Sequence, residues 1–149
     1  MRIPTKVDCG IIALIDIGLR TRTEPIITVM SISKRQGISA KYREQILPLL
    51  RHGGIIRSVK GAKGGYTLSR APKEITLYEV INSLDTTILN DTGSSAEYDE
   101  AISDTLNECL WGKLESSLCE LTRSITLHDL IERYDGKLSQ SAEELMYYI

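Results

Sequence analysis

Lys60 and Lys63 stand three positions apart in VKGAKGGYTL, a stretch that also holds three glycines. Positive charge and bare backbone therefore meet in one place. Such a stretch is either a loop that cradles a nucleotide phosphate or a hairpin that lies against a nucleic-acid backbone. A phosphate loop needs a strand before it, a helix after it, and Gly-Lys-Ser or Gly-Lys-Thr at the junction. Here Lys63 is followed by Gly64, Gly65 and Tyr66, and IIRSV and GYTLS alternate apolar with polar residues on either side. A β-hairpin is expected, with Arg57 and Arg70 extending its basic face. Chemistry of the catalytic kind has no support. His52 and His128 lie in no Ser/Cys/Asp constellation that makes a triad or a metal site, so no enzyme is expected.

A second set lies upstream. Ser39 is placed to cap a helix, AKYREQILPLLRH, whose first turns carry Lys41, Tyr42, Arg43, Glu44 and Gln45. Gln can pair with adenine and Glu can accept from cytosine N4, while Lys41 and Tyr42 suit phosphates. For Glu44 a salt bridge to Lys41 or Arg51 is an equal alternative. Thr28 caps VMSISKRQ, which Gly37 closes, and CGIIALIDIGL is apolar at nearly every position, as a buried first helix is. Pro48 removes one backbone donor inside the third helix and predicts a bend. Three helices followed by a two-stranded wing make a winged helix-turn-helix, in which the third helix enters the major groove. The fold expected is mainly α with a small β-hairpin.

Elements further along explain how one motif becomes two. Residues 1–85 form the expected winged domain, and 86–149 a loop, a long dimerisation helix, a short helix and a tail. ITLYEVINSL and ITLHDLIERY each open on a capping box, Thr76 with Glu79 and Thr126 with Asp129. Between them Ile102, Leu106, Leu110, Leu114, Leu118 and Leu121 line one side of a helix about 30 Å long. That seam predicts a homodimer reading a palindrome with half-sites about 34 Å apart, or a multiple of that. The charge agrees. The net charge of −2 divides into 14 Lys and Arg against 5 Asp and Glu up to Ile75, and 4 against 15 beyond it. A balance of +9 followed by −11 suggests that one half meets a polyanion, whose binding falls with salt. The alternative is a winged-helix protein-interaction module that senses metabolism through its C-terminal tail without specific DNA binding; +9 on its first half argues against it. No run approaches the ~20 apolar residues of a membrane span, and no signal peptide is recognised, so a cytoplasmic protein is expected.

SISKRQGISAKYREQILPLLRHGGIIRSVKGAKGGYTLSR closely resembles the Rrf2 family of bacterial winged-helix regulators, in the Ile-Ser-x-x-Tyr-x-Glu-Gln run and in Ser-Val-Lys-Gly-x-x-Gly-Gly-Tyr. The resemblance covers nearly the whole chain and implies a homodimeric transcription factor that binds double-stranded DNA. Many members hold an iron-sulfur cluster through three cysteines between the wing and the dimerisation helix. Here that segment, DTTILNDTGSSAEYDE, has none, so no cluster and no metal site are expected. Asp8 falls where some relatives use a carboxylate ligand, and reads here as a helix N-terminal charge. It also leaves Thr5 and Lys6 as the N-terminal contacts to DNA. The branch of the family without the cluster includes repressors of cysteine metabolism, and MYYI resembles their C-terminus. It implies a peptide that docks into cysteine synthase through Tyr147, Tyr148 and Ile149; the alternative is that the same residues pack on the dimer. The three cysteines are odd in number and widely spaced, so no disulfide framework is expected. Cys9 reads as a buried, inert thiol with a redox role as the alternative, and Cys109 with Cys119 as candidates for an intersubunit disulfide.

Overall fold

Helix α1 (Thr5–Arg20) begins four residues before the apolar run that predicts it, and buries Val7, Ala13, Leu14 and Ile17. The computed structural model describes residues 2–90 and 97–148. Helix α2 (Val29–Gln36) starts where Thr28 Oγ1 accepts from Ser31 N–H at 3.2 Å and stops at Gly37, whose φ of 66° is left-handed. Helix α3 (Ala40–His52) is capped by Ser39, which accepts from Tyr42 N–H at 3.5 Å. It continues through Pro48 to Gly53, and Gly54 (φ 74°) turns the chain out.

Strands β1 (Ile56–Val59) and β2 (Gly65–Leu68) pair antiparallel, Ile56 opposite Leu68 and Val59 opposite Gly65. Ile27 adds a single rung to this wing: it donates to Tyr66 O at 2.9 Å and accepts from Tyr66 N–H at 2.8 Å. The wing is therefore hooked to the residue just before α2, and the two halves of the expected interface are held in one piece.

A 3₁₀ turn (Pro72–Glu74) leads into α4 (Leu77–Leu84), and a one-turn helix α5 (Thr87–Asn90) stands where the sequence suggested loop. The long helix is α6 (Glu100–Leu106), a π turn over Asn107–Trp111, and α7 (Gly112–Ser124). Both predicted capping boxes are present, at Thr76–Glu79 and Thr126–Asp129. They face each other. Leu77 N–H donates to Ile125 O at 2.9 Å and Leu127 N–H to Ile75 O at 2.8 Å, so the two similar segments ITL and ITL cross as an antiparallel bridge. The last element differs from expectation. In place of a short helix and a loose tail, α8 runs unbroken from Leu127 to Tyr147. Gly136 alone does not outweigh the Lys, Leu, Gln, Ala and Glu that follow, all good helix formers.

One hydrophobic core serves both segments of the chain. Leu127 and Ile131 of α8 bury in the same cluster as Leu14, Ile17, Ile46, Leu50 and Val80. Helix α8 packs close to α1 at Gly18, where a Cβ would press on the end of the Ile131 side chain. No helix among the described residues is long and apolar enough to cross a membrane.

Candidate nucleic-acid interface

Ile46, Leu47 and Leu50 pin the inner face of α3, which leaves Ser39, Lys41, Glu44 and Gln45 exposed on the outer one. Tyr42 and Arg43 are half-buried. The Lys41 ammonium sits 5.7 Å from the centroid of the Tyr42 ring, a cation–π contact that holds it beside the helix start. Glu44 forms no ion pair among the described residues, so the salt bridge weighed for it from the sequence is not made, and its carboxylate stays available to a base edge.

The wing needs a correction. Arg57, Lys60 and Lys63 are exposed as expected, but Gly64 does not present a bare N–H group to a ligand. Gly64 N–H already donates to Gly61 O at 3.0 Å, and a Cβ on Gly64 would lie 2.3 Å from Val59 O. Gly65 is required because a Cβ there would meet Ile27 O at 2.3 Å, and both backbone groups of Tyr66 are used on Ile27. Gly64, Gly65 and Tyr66 shape the hairpin; the lysines carry its charge. Arg70 also departs from the basic face assigned to it. It turns inward, donating to Glu74 O and Glu79 Oε1, each at 3.1 Å. Burial alone would push the Glu79 carboxyl up, but the Thr76 N–H and the Arg70 guanidinium together hold it below the usual carboxylate range.

Charge on the first half is sorted by these contacts. Of the 14 Lys and Arg up to Ile75, four have carboxylate partners among the described residues: Lys6 with Asp85 at 4.0 Å, Arg22 with Glu132 and Asp135, Arg35 with Asp16, and Arg70 with Glu79. Seven of the other ten, Lys34, Lys41, Arg43, Arg51, Arg57, Lys60 and Lys63, sit on α2, α3 and the wing. Thr5 is exposed, whereas Lys6 is drawn toward Asp85. The sequence reading missed Lys34. With Ser31, Ser33 and Arg43 it lines an open cleft of about 540 Å³ between α2 and α3. It also missed Asp16, 1% exposed, whose carboxylate accepts from Arg35 Nε at 2.9 Å, Arg35 Nη2 at 2.7 Å and Gln36 Nε2 at 3.0 Å. That carboxylate ties α1 to the end of α2, three residues before α3 begins.

The thiols do not converge. Cys9 is half-buried against the core, Cys109 is exposed on the π turn, and Cys119 donates to Leu89 O at 3.5 Å on the inner side of α7. Cys119 is therefore half-buried and turned toward α5, unlike the exposed Cys109. No three His, Cys, Asp or Glu among the described residues are grouped to hold a metal, and the residues present do not fit a three-cysteine cluster. Burial, and next the neighbouring Asp8, push the Cys9 thiol up. Iodoacetamide at pH 7 is expected to modify Cys109 first and Cys9 last, read by peptide mass spectrometry, with the Cys9 rate climbing as pH rises through its raised pKa. Early labelling of Cys9 would make it the accessible thiolate that a redox switch requires.

Along the long helix, Ile102, Leu106, Leu110, Leu114 and Leu121 are 36–56% exposed, with Leu118 half-buried. Leu145, Met146 and Tyr147 at the end of α8, and Tyr148 just after it, are 68–92% exposed. Ile149 lies outside the described residues.

Residues 3–133 match the model of the Rrf2 family, described as "Iron-dependent Transcriptional regulator". The chain is 33% identical over 139 residues to the HTH-type transcriptional regulator IscR of Klebsiella pneumoniae, covering 91% of this chain and 82% of that protein. Among solved structures it is similar to CymR, the global cysteine regulator of B. subtilis (TM-score 0.73, 28% identity, 89% of this chain and 98% of that one). It is also similar to IscR of T. potens (TM-score 0.70, 30% identity, 90% of this chain and 88% of that one). With three helices and a two-stranded wing in place, this chain belongs to the Rrf2 family of transcriptional regulators.

Proposed function

We propose that the protein is a cytoplasmic, homodimeric regulator that reads a palindromic operator in double-stranded DNA. Helix α3 enters the major groove through Ser39, Lys41, Tyr42, Arg43, Glu44 and Gln45, and the wing follows the backbone through Arg57, Lys60 and Lys63. One observation carries this reading. Away from α2, α3 and the wing, carboxylates pair with Lys6, Arg22 and Arg70; on those three elements only Arg35 is paired, and the other seven cations make no ion pair among the described residues. A surface kept positive in this way matches a polyphosphate, and each neutralised phosphate adds to a steep salt dependence. The exposed Leu/Ile side of the long helix supports pairing of two copies. In-vitro selection of genomic fragments at two salt concentrations tests it. An inverted repeat should be enriched, more weakly at high salt; no enrichment at either would remove the reading.

A second reading concerns the tail. Met146, Tyr147 and Tyr148 are 77%, 92% and 90% exposed, and the similarity to a cysteine regulator favours cysteine synthase as a partner for them. Tyr147 is the last residue of α8, so docking as an extended peptide requires the final turn to unwind. Deletion of Ile149 is expected to abolish binding to cysteine synthase; unchanged affinity would leave the tail as packing surface.

A further inference from the structure

The six apolar residues of the long helix are spaced four, four, four, four and three apart. On an unbroken α-helix at about 100° per residue they would not form one line: stepping back from Leu121, they smear over about 160° of the surface. The π turn over Asn107–Trp111 changes this. Gly112 N–H reaches back five residues to Asn107 O, so one extra residue is taken up in a single turn. That cancels about 100° of rotation for everything upstream and gathers all six into a band about 60° wide. Ile102 and Leu121, nineteen residues apart, then stand as if they were eighteen, or five whole turns, apart.

Gly112 makes the π turn possible. A Cβ there would lie 2.7 Å from Asn107 O, a backbone atom that cannot step aside. An interior helical glycine is otherwise unfavourable by about 1 kcal/mol relative to alanine, so its presence has a reason only if the π turn is wanted. The residue is also the centre of the seam. Leu110 and Leu114 lie two positions to either side, Leu106 and Leu118 six, and Ile102 and Leu121 ten and nine. In a two-fold antiparallel pair that crosses at Gly112, each residue meets the one about equally far on the other side, so this spacing sets apolar positions of one copy against those of the other. Charge selects the direction. Residues 97–111 hold five acidic side chains and no Lys or Arg, whereas 112–124 hold two of each sign. Parallel pairing sets the acidic halves side by side; antiparallel pairing keeps them apart.

We propose that the π turn closed by Gly112 is the device that phases this helix for antiparallel pairing with a second copy of the chain, with the two-fold axis passing at Gly112. The proposal rests on the homodimer reading above and names how that dimer is specified.

Sedimentation equilibrium on three full-length chains tests it. The parent is expected to be a dimer. Gly112→Ala forces the turn into an α-helix, rotates Ile102 and Leu106 off the seam, and should raise the dimer dissociation constant at least about tenfold, with helical content by circular dichroism retained. Gly112→Ala combined with deletion of Asn107 restores the five-turn spacing on a plain α-helix and should bring most of the affinity back. A dimer as tight in Gly112→Ala as in the parent overturns the proposal, and so does failure of the deletion to rescue. A monomeric parent instead removes the dimer reading itself, and this inference with it.

Discussion

Replacing Lys60 and Lys63 together by alanine is expected to weaken binding to every duplex alike. The slope of log affinity against log salt should flatten by about 1.8, because each lost phosphate contact removes roughly 0.9. The ranking of operators should not change. Gln45→Ala should do the reverse: the salt slope stays, and the penalty of about 1–3 kcal/mol falls on the base pair that Gln45 contacts, so operator and scrambled duplex come closer together. The physical basis is the separation of the two side-chain sets. The lysines are exposed at the tip of a hairpin where Gly64 N–H is already bonded to Gly61 O, so they offer charge without geometry. Gln45 stands exposed on a helix whose opposite side is locked by Ile46, Leu47 and Leu50. Fluorescence anisotropy with an operator and a scrambled duplex across a potassium chloride series reads both slopes and both affinities. An unchanged slope in the double lysine variant would take the wing off the DNA.

The parts of this molecule that were legible in its sequence are those fixed by neighbours along the chain. Thr28, Ser39, Thr76 and Thr126 all cap the helices they precede, because a cap needs only an oxygen and an N–H three residues on. The hairpin was equally plain, since its turn glycines and strand alternation are local. What was hidden depends on residues far apart. Arg70 resembled any exposed arginine until Glu79 and Glu74 came within reach of it. The reason for Gly65 lies in Ile27, a residue no turn rule connects to it. The π turn was invisible for a different reason: a Leu/Ile repeat near every fourth residue looks like an ordinary helical stripe, and the drift it implies shows only when the angles are summed. The continuation of α8 to Tyr147 was missed because a polar stretch with no core contact was read as tail, although its residues favour helix.

The largest stability effect is expected at Asp16. Its side chain is 1% exposed, and it receives both the bidentate fork of Arg35 and the amide of Gln36. Asp16→Ala leaves the Arg35 guanidinium, 27% exposed, without its hydrogen-bonded counter-charge and with only the weaker influence of Glu24. Removing one partner of a buried pair costs about 3–5 kcal/mol, and the partial exposure of Arg35 puts this case near 3. Against a total stability of about 5–15 kcal/mol for such a domain, urea denaturation should show a clear fall in midpoint. Asp16→Leu with Arg35→Met should recover much of that loss, because two apolar side chains bury at this site without a desolvation penalty. Operator binding separates the two effects. If the carboxylate serves only stability, the double variant binds DNA as the parent does. If it also sets the angle at which α2 delivers α3, the double variant folds well and still binds the operator more weakly. The second outcome is expected: Arg35 and Gln36 are the last two residues of α2, and Gly37 to Ser39 leave only three residues to absorb a shift before α3 begins.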